Sequence, residues 1–171
     1  MRLPRLLGNQ VLSHLEAEVG PPVRLRMAVH GRVEQCARIG LLIADDHPTN
    51  RKVVEIILAG AGMQITTVDN GLEAVRAHSL GAYDVVLMDM QMPVMDGLTA
   101  TAEIRAAEAR VGAPRVPIVM LTANALPEHI RAGRRAGADG HLTKPITPAS
   151  LFAAINDALE AAEPQAATFA A

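Results

Sequence analysis

Residues 84–97 read DVVLMDMQMPVMDG: four apolar residues, Val85 to Met88, run into an acid, Asp89, and then into a Met-Pro and an Asp-Gly turn. An apolar run without polar alternation suits a strand covered on both faces, as in a parallel sheet with helices above and below. Outward from this stretch the pattern recurs. Similar runs stand at Leu41 to Ala44, Ile65 to Val68 and Ile118 to Leu121, with a weaker one around Gly140 to Leu142. Between them lie segments of helical periodicity. The first starts near Thr49 and stops in AGAG at 59–62; the second spans Gly71 to about Gly81; the third spans Gly97 to about Ala109, before GAP at 112–114. The fourth opens at Leu126-Pro127 and ends at Gly137, and the fifth comes after Thr147, an N-cap residue type, with Pro148 in the first turn. Five strands alternating with five helices predict an α/β fold. Right-handed crossovers make it a doubly wound (βα)5 parallel sheet of flavodoxin-like order 2-1-3-4-5.

The rest of the composition fits one such domain with an appendage. The chain has 171 residues, half of them hydrophobic and only 2% aromatic, so its core must be built from aliphatic side chains and Met. A formal net charge of -2 gives no bulk electrostatic case for nucleic-acid or membrane binding. Cys36 is the single cysteine, which excludes an internal disulfide framework and fits a reducing compartment. The opening residues are too interrupted by Pro, Gly, Arg and Glu for a signal peptide, and no run approaches the roughly 18 apolar residues of a membrane span. A cytoplasmic location is expected, as a monomer or weak dimer.

In a doubly wound sheet, ligands gather at the carboxyl ends of the strands. The first run ends at Asp45-Asp46, the third at Asp89, the fourth at Thr122 and the fifth at Thr143-Lys144-Pro145. Three clustered carboxylates call for a cation, and hard oxygen donors with room for water suit Mg2+. A phosphoryl group brought there meets the metal, the Lys144 ammonium and the Thr122 hydroxyl, and a carboxylate can act as the nucleophile that receives it. Asp89 stands alone at the end of the central run, held open by the turns after it. Asp96 is read as shaping the turn before the third helix. The methionines at 88, 90, 92 and 95 are read as packing. Five histidines, His14, His30, His47, His78 and His129, show no metal-ligand spacing and are read as surface or turn residues.

At these residues the chain resembles the response-regulator receiver family, and most closely the receivers of hybrid histidine kinases. The blocks that carry the resemblance are LLIADDHPTNRKVVEIIL, DVVLMDMQMPVMDG, PIVMLTA and GADGHLTKPI, in that order. The resemblance implies a receiver domain over residues 38–162 in which Asp45, Asp46, Asp89 and the backbone carbonyl of Gln91 hold Mg2+. It implies that Asp89 is phosphorylated by a histidine kinase or histidine phosphotransferase, that Thr122 swings toward the phosphoryl oxygens, and that Lys144 pairs with them beside a cis bond to Pro145. Such a protein is a signalling phosphoacceptor in a phosphorelay rather than an enzyme, although it assists its own phosphotransfer and dephosphorylation. One position departs from the family pattern. Where Tyr or Phe often couples to the threonine, this chain has His141, which is smaller and titratable.

An aspartate-based phosphatase also uses an Asp nucleophile and Mg2+ on a parallel sheet, but it needs a second acid two residues after the nucleophile. Here that place is Gln91. A pseudo-receiver kept only for protein contacts does not need the full set of Asp45, Asp46, Asp89, Thr122 and Lys144. The short Ala-rich tail, 163–171, leads to the expectation of output through protein contacts or relayed phosphate, without an attached output domain. The extension over residues 1–37 loosely resembles the asparagine-box helix and next strand of a kinase ATP-binding lobe, with His14 about where a metal-binding Asn would stand and the later Gly-rich boxes missing. It is either a degraded kinase remnant or a simple lead segment.

Overall fold

The computed structural model describes residues 39–162. The expectations for 1–37 and 163–171, and with them Cys36, His14 and His30, lie outside the described residues. The described chain alternates β1 (Gly40–Ala44), α1 (Pro48–Leu58), β2 (Gln64–Val68), α2 (Gly71–Leu80), β3 (Val85–Asp89), α3 (Gly97–Val111), β4 (Ile118–Thr122), α4 (Pro127–Ala136), β5 (Gly140–Thr143) and α5 (Pro148–Ala162). All strand pairs are parallel and the order is β2-β1-β3-β4-β5. Compared with the apolar runs, the strands extend one residue further at several ends. Asp89 and Thr122 are therefore the last residues of β3 and β4 rather than the first residues of the loops.

Alternation along the strands divides the core in two. Leu41, Ile43, Val85, Leu87, Val119 and Leu121 face α1 and α5, where Val54, Leu58, Leu151, Phe152 and Ile155 complete the packing. Leu42, Ala44, Val86, Met88, Ile118 and Met120 face the other way, against Ala74 of α2 and Ala100 and Ile104 of α3. Met90, Met92 and Met95 pack on the edge of this second cluster. The three central strands are buried throughout, which is why they read as unbroken apolar runs, whereas the edge strand β2 keeps an exposed or half-buried pattern.

Helix ends obey the local chemistry. Asn70 and Asp96 accept hydrogen bonds from the amides of Glu73 and Thr99, and Thr147 caps α5 through the Ser150 amide. Asp96 is thus a capping residue at the start of α3. Away from the carboxyl ends of the strands, Glu108 is buried between Arg105 and the Val116 amide, with His78 Nε2 3.4 Å away. Arg105 and Arg115 both reach Asp139, which in turn accepts from the Ile118 amide. This network joins α2, α3 and the segments entering β4 and β5, so a buried acid is fully paired.

The loop after β3 is held by two close approaches. A Cβ on Gly97 would lie 2.0 Å from the Asp89 carbonyl oxygen, and one on Gly71 would lie 2.5 Å from that of Met95. Within this loop Val94 has a left-handed φ of 68° and is 80% exposed. A β-branched residue in that region costs about 1–2 kcal/mol, and Asn tolerates it. Val94→Asn should therefore stabilise the fold by about 1 kcal/mol, raising the midpoint of thermal unfolding by about 3 °C. An unchanged or lowered midpoint would show that the backbone is not strained there.

Candidate functional site

The parallel register builds the site. Ala44 pairs with Met88, so the next residues, Asp45 and Asp89, stand side by side at the carboxyl ends of β1 and β3. Asp89 pairs with Leu121, and Thr122 with Thr143, which brings Lys144 to the same rim. Backbone bonds from Met90 N to the Leu121 carbonyl and from Lys144 N to the Thr122 carbonyl lock these ends together. Lys144 Nζ then donates to Asp45 Oδ2 at 2.8 Å and to Asp89 Oδ2 at 2.7 Å. The Lys144–Pro145 peptide bond is cis.

Asp46, Asp89, Gln91 and Lys144 line one cleft of about 440 Å3 together with His47, Asn50, Met90, Ala123, Asn124 and His129. Asp45 lies beneath it, buried, with its carboxylate accepting from the His47 amide at 2.9 Å and from Asn50 Nδ2 at 3.1 Å, in addition to Lys144. Arg51 donates to the Asp45 carbonyl at 2.6 Å. Burial pushes the Asp89 carboxyl above its ordinary range. The Lys144 hydrogen bond and charge oppose this, the Asp45 charge adds to it, and a hydrogen bond from the Gln91 amide pulls back. For Lys144, burial lowers the pKa, but hydrogen bonds and charge from Asp45 and Asp89 together outweigh it and leave the ammonium held above its ordinary value.

Two of the three carboxylates, Asp45 and Asp89, thus share one ammonium, while Asp46 bonds the His47 ring. The surplus of negative charge, the all-oxygen donor set and a cleft with room for several waters fit a Mg2+ ion. No buried side-chain nitrogen or oxygen among the described residues lacks a hydrogen-bond partner, so the donors are held in place by protein contacts.

Two expected participants stand further back. Thr122 is buried, and its hydroxyl donates to the Asn124 carbonyl at 2.9 Å, turned onto its own loop. His141 is at the surface, lining shallow depressions on both sides of β5, one shared with Thr122, His129 and Ile130 and the other with Asp157 and Ala158.

The reading of the histidines as surface or turn residues holds for His47, which is exposed at the N-cap of α1, and fails at His78, whose side chain is 12% exposed beside Glu108. His47 and His129 both line the cleft, His47 Nδ1 bonds Asp46 Oδ1 at 2.8 Å, and His129 Nδ1 lies 3.3 Å from the Asn124 carbonyl. Spacing in the sequence carries no sign of this, because the two residues come from different strand-to-helix junctions. Asn50 and Arg51 were also missed. Their signal is helical: five and six residues after Asp45, they lie one turn into α1 and point back over the strand end.

A profile of the response regulator receiver domain family matches residues 41–156. Over 137 residues the chain is 39% identical to the sensor protein GacS of Pseudomonas syringae pv. syringae, a match covering 80% of this chain and 14% of that one. The chain therefore spans a small part of that relative's length. Among solved structures it is similar to the receiver domain of a Pseudomonas aeruginosa sensor histidine kinase, crystallised with a magnesium ion coordinated in its active site cleft. That likeness has a TM-score of 0.65 at 38% identity, covering 72% of this chain and 99% of that one. It is also similar to the Saccharomyces cerevisiae Ssk1 receiver domain, solved with the histidine phosphotransfer protein Ypd1, with a TM-score of 0.68 at 30% identity over 71% of this chain and 88% of that one. Among the described residues no helix is long and apolar enough to cross a membrane.

Proposed function

Because the chain belongs to the response regulator receiver domain family of two-component signalling, we propose that it takes a phosphoryl group onto Asp89 in a Mg2+-dependent reaction. The donor is a phosphohistidine on a histidine kinase or histidine phosphotransferase, and the signal is the resulting change of shape. The observation that carries this reading is the sharing of Lys144 by Asp45 and Asp89 at the mouth of a carboxylate-lined cleft.

In the transfer, an Asp89 carboxylate oxygen attacks phosphorus. The new O–P bond forms as the P–N bond to the partner imidazole breaks, and the electron pair returns to the ring nitrogen. Lys144 already lies 2.7 Å from Asp89 Oδ2, so its positive charge is in place before the phosphoryl group arrives. Asp45, Asp46, Asp89 and the Gln91 carbonyl are the groups that would hold Mg2+, which when bound neutralises charge on the phosphoryl oxygens. Asn50 and Arg51 keep Asp45 fixed beneath that set. To reach a phosphoryl oxygen, the Thr122 hydroxyl must give up the Asn124 carbonyl, exchanging a neutral hydrogen bond for a charge-assisted one. The released loop then repacks toward α4, where His141 borders the space next to Thr122.

The test is incubation of the full chain with Mg2+ and a small acyl phosphate or phosphoramidate, then intact mass measurement. One added phosphoryl group per chain, lost when Mg2+ is chelated, is the expected result. No uptake from either donor would overturn the reading.

A further inference from the structure

Phosphoryl transfer to Asp89 makes no use of His47, although the His47 ring lines the same cleft as Asp89 and Lys144. Its Nδ1 stands 2.8 Å from Asp46 Oδ1, and one donor atom each from Asp45, Asp46 and His47 lie within 4.8 Å of one another. Two ligands cis on a six-coordinate ion at bond lengths near 2.1 Å are about 3 Å apart. The Asp46–His47 pair already has that separation. The ring is held there by its own hydrogen bond to Asp46, on a main chain anchored by the His47 amide bond to Asp45 Oδ1 and by Pro48 in the first turn of α1.

We propose that His47 is a metal ligand reserved for transition cations: it adds an imidazole nitrogen to the carboxylate site when the ion is Co2+, Ni2+ or Zn2+, and so makes the cleft prefer these ions to Mg2+. This rests on the reading that Asp46 and Asp89 hold a divalent cation. The chemical basis is donor type. Mg2+ takes oxygen ligands and keeps its waters, so a nearby imidazole adds little, whereas later first-row cations gain from a nitrogen donor. The bond to Asp46 is no obstacle, because the ring is 72% exposed and its other nitrogen can carry the proton into solvent, which frees the Nδ1 lone pair.

The experiment measures Mg2+ and Co2+ affinities by titration calorimetry on the full chain, as wild type, His47→Ala and Asp46→Ala. His47 sits at the N-cap of α1 without a side-chain capping bond, so its removal should leave the fold intact, which thermal unfolding checks. Wild type should bind Co2+ about tenfold or more tighter than Mg2+, with Co2+ displaced by excess Mg2+, and His47→Ala should lower the Co2+/Mg2+ ratio about tenfold. Asp46→Ala should weaken both ions. A ratio unchanged in His47→Ala would overturn the proposal. So would an equal fall in both affinities, which would make His47 a positioning residue for Asp46. Co2+ that survives Asp46→Ala and resists Mg2+ would sit on other histidines, which would overturn it too. If wild type bound no Mg2+ while Co2+ binding still required His47 and Asp46, the Mg2+ reading would fail and this one would stand.

Discussion

Asp89→Asn should take up no phosphoryl group from small donors or from a phosphohistidine partner, while remaining folded. The loss should be complete because the other two rim carboxylates are poor substitutes. Asp45 is buried under four contacts with His47, Asn50 and Lys144, and Asp46 bonds the His47 ring rather than Lys144. Asn keeps the size and hydrogen bonding of Asp but offers no nucleophilic carboxylate. The variant should also be at least as stable as wild type without metal. A carboxyl whose folded pKa is raised contributes stability that is present below its ordinary range and is lost as pH climbs through the raised value. As pH rises through that value the metal-free protein loses it, whereas Asn, which does not ionise, keeps it. The raised value already includes the attraction of Lys144, which keeps Asp45 as a partner. Labelling is read by intact mass and stability by thermal unfolding at pH 7 with a chelator. Retention of full single-site labelling would remove Asp89 from its role.

How much of this was legible in the sequence depends on whether a residue's partner is set by local pattern or by long-range packing. Asp45, Asp46, Asp89, Thr122 and Lys144 were legible because each comes just after an apolar run, and parallel strands bring equivalent ends to one rim. The strand order was legible once alternation implied a parallel sheet, because right-handed crossovers make the doubly wound order 2-1-3-4-5 the default for five strands. The direction of the Thr122 hydroxyl was not, since it depends on where the Asn124 carbonyl turns in the next loop. Nor was the buried network of Arg105, Glu108, Arg115 and Asp139, whose members look like ordinary surface charges on a helix and in loops and meet only when α3 is laid against the entries to β4 and β5. His47 was read as a surface or turn residue and is one, but that its ring faces the cleft was not legible, because a ring beside a carboxylate pair has no spacing signature. Its neighbour is the adjacent residue, and its importance comes from the cleft it faces.

The same distinction governs the partner surface. Apolar residues at 53, 54, 56, 57 and 58 cover an arc of α1 about twice as wide as a core-facing stripe needs, which predicts an exposed edge without saying which one. In the fold Val54 and Leu58 are buried and Ile57 packs against the core, which leaves Val53, 40% exposed, and Ile56, 64% exposed. With Thr49 they form an i, i+4, i+7 strip on the helix that begins two residues after Asp46. A phosphohistidine must reach Asp89 through the cleft that Asp46 and Asn50 line, so a helical phosphotransferase domain seated there would lie along this strip and cover it. Ile56→Glu should then slow transfer from a phosphorylated histidine phosphotransfer domain about a hundredfold, the effect of a central apolar anchor worth about 2.7 kcal/mol. Phosphorylation by a small acyl phosphate should keep its wild-type rate, because the side chain is exposed and belongs to neither the core nor the carboxylate site. Stopped-flow or quenched transfer assays with the two donors separate the cases. A parallel fall in both rates would mean damage to the fold or the cleft, and an unchanged rate from the protein donor would move the docking surface off α1.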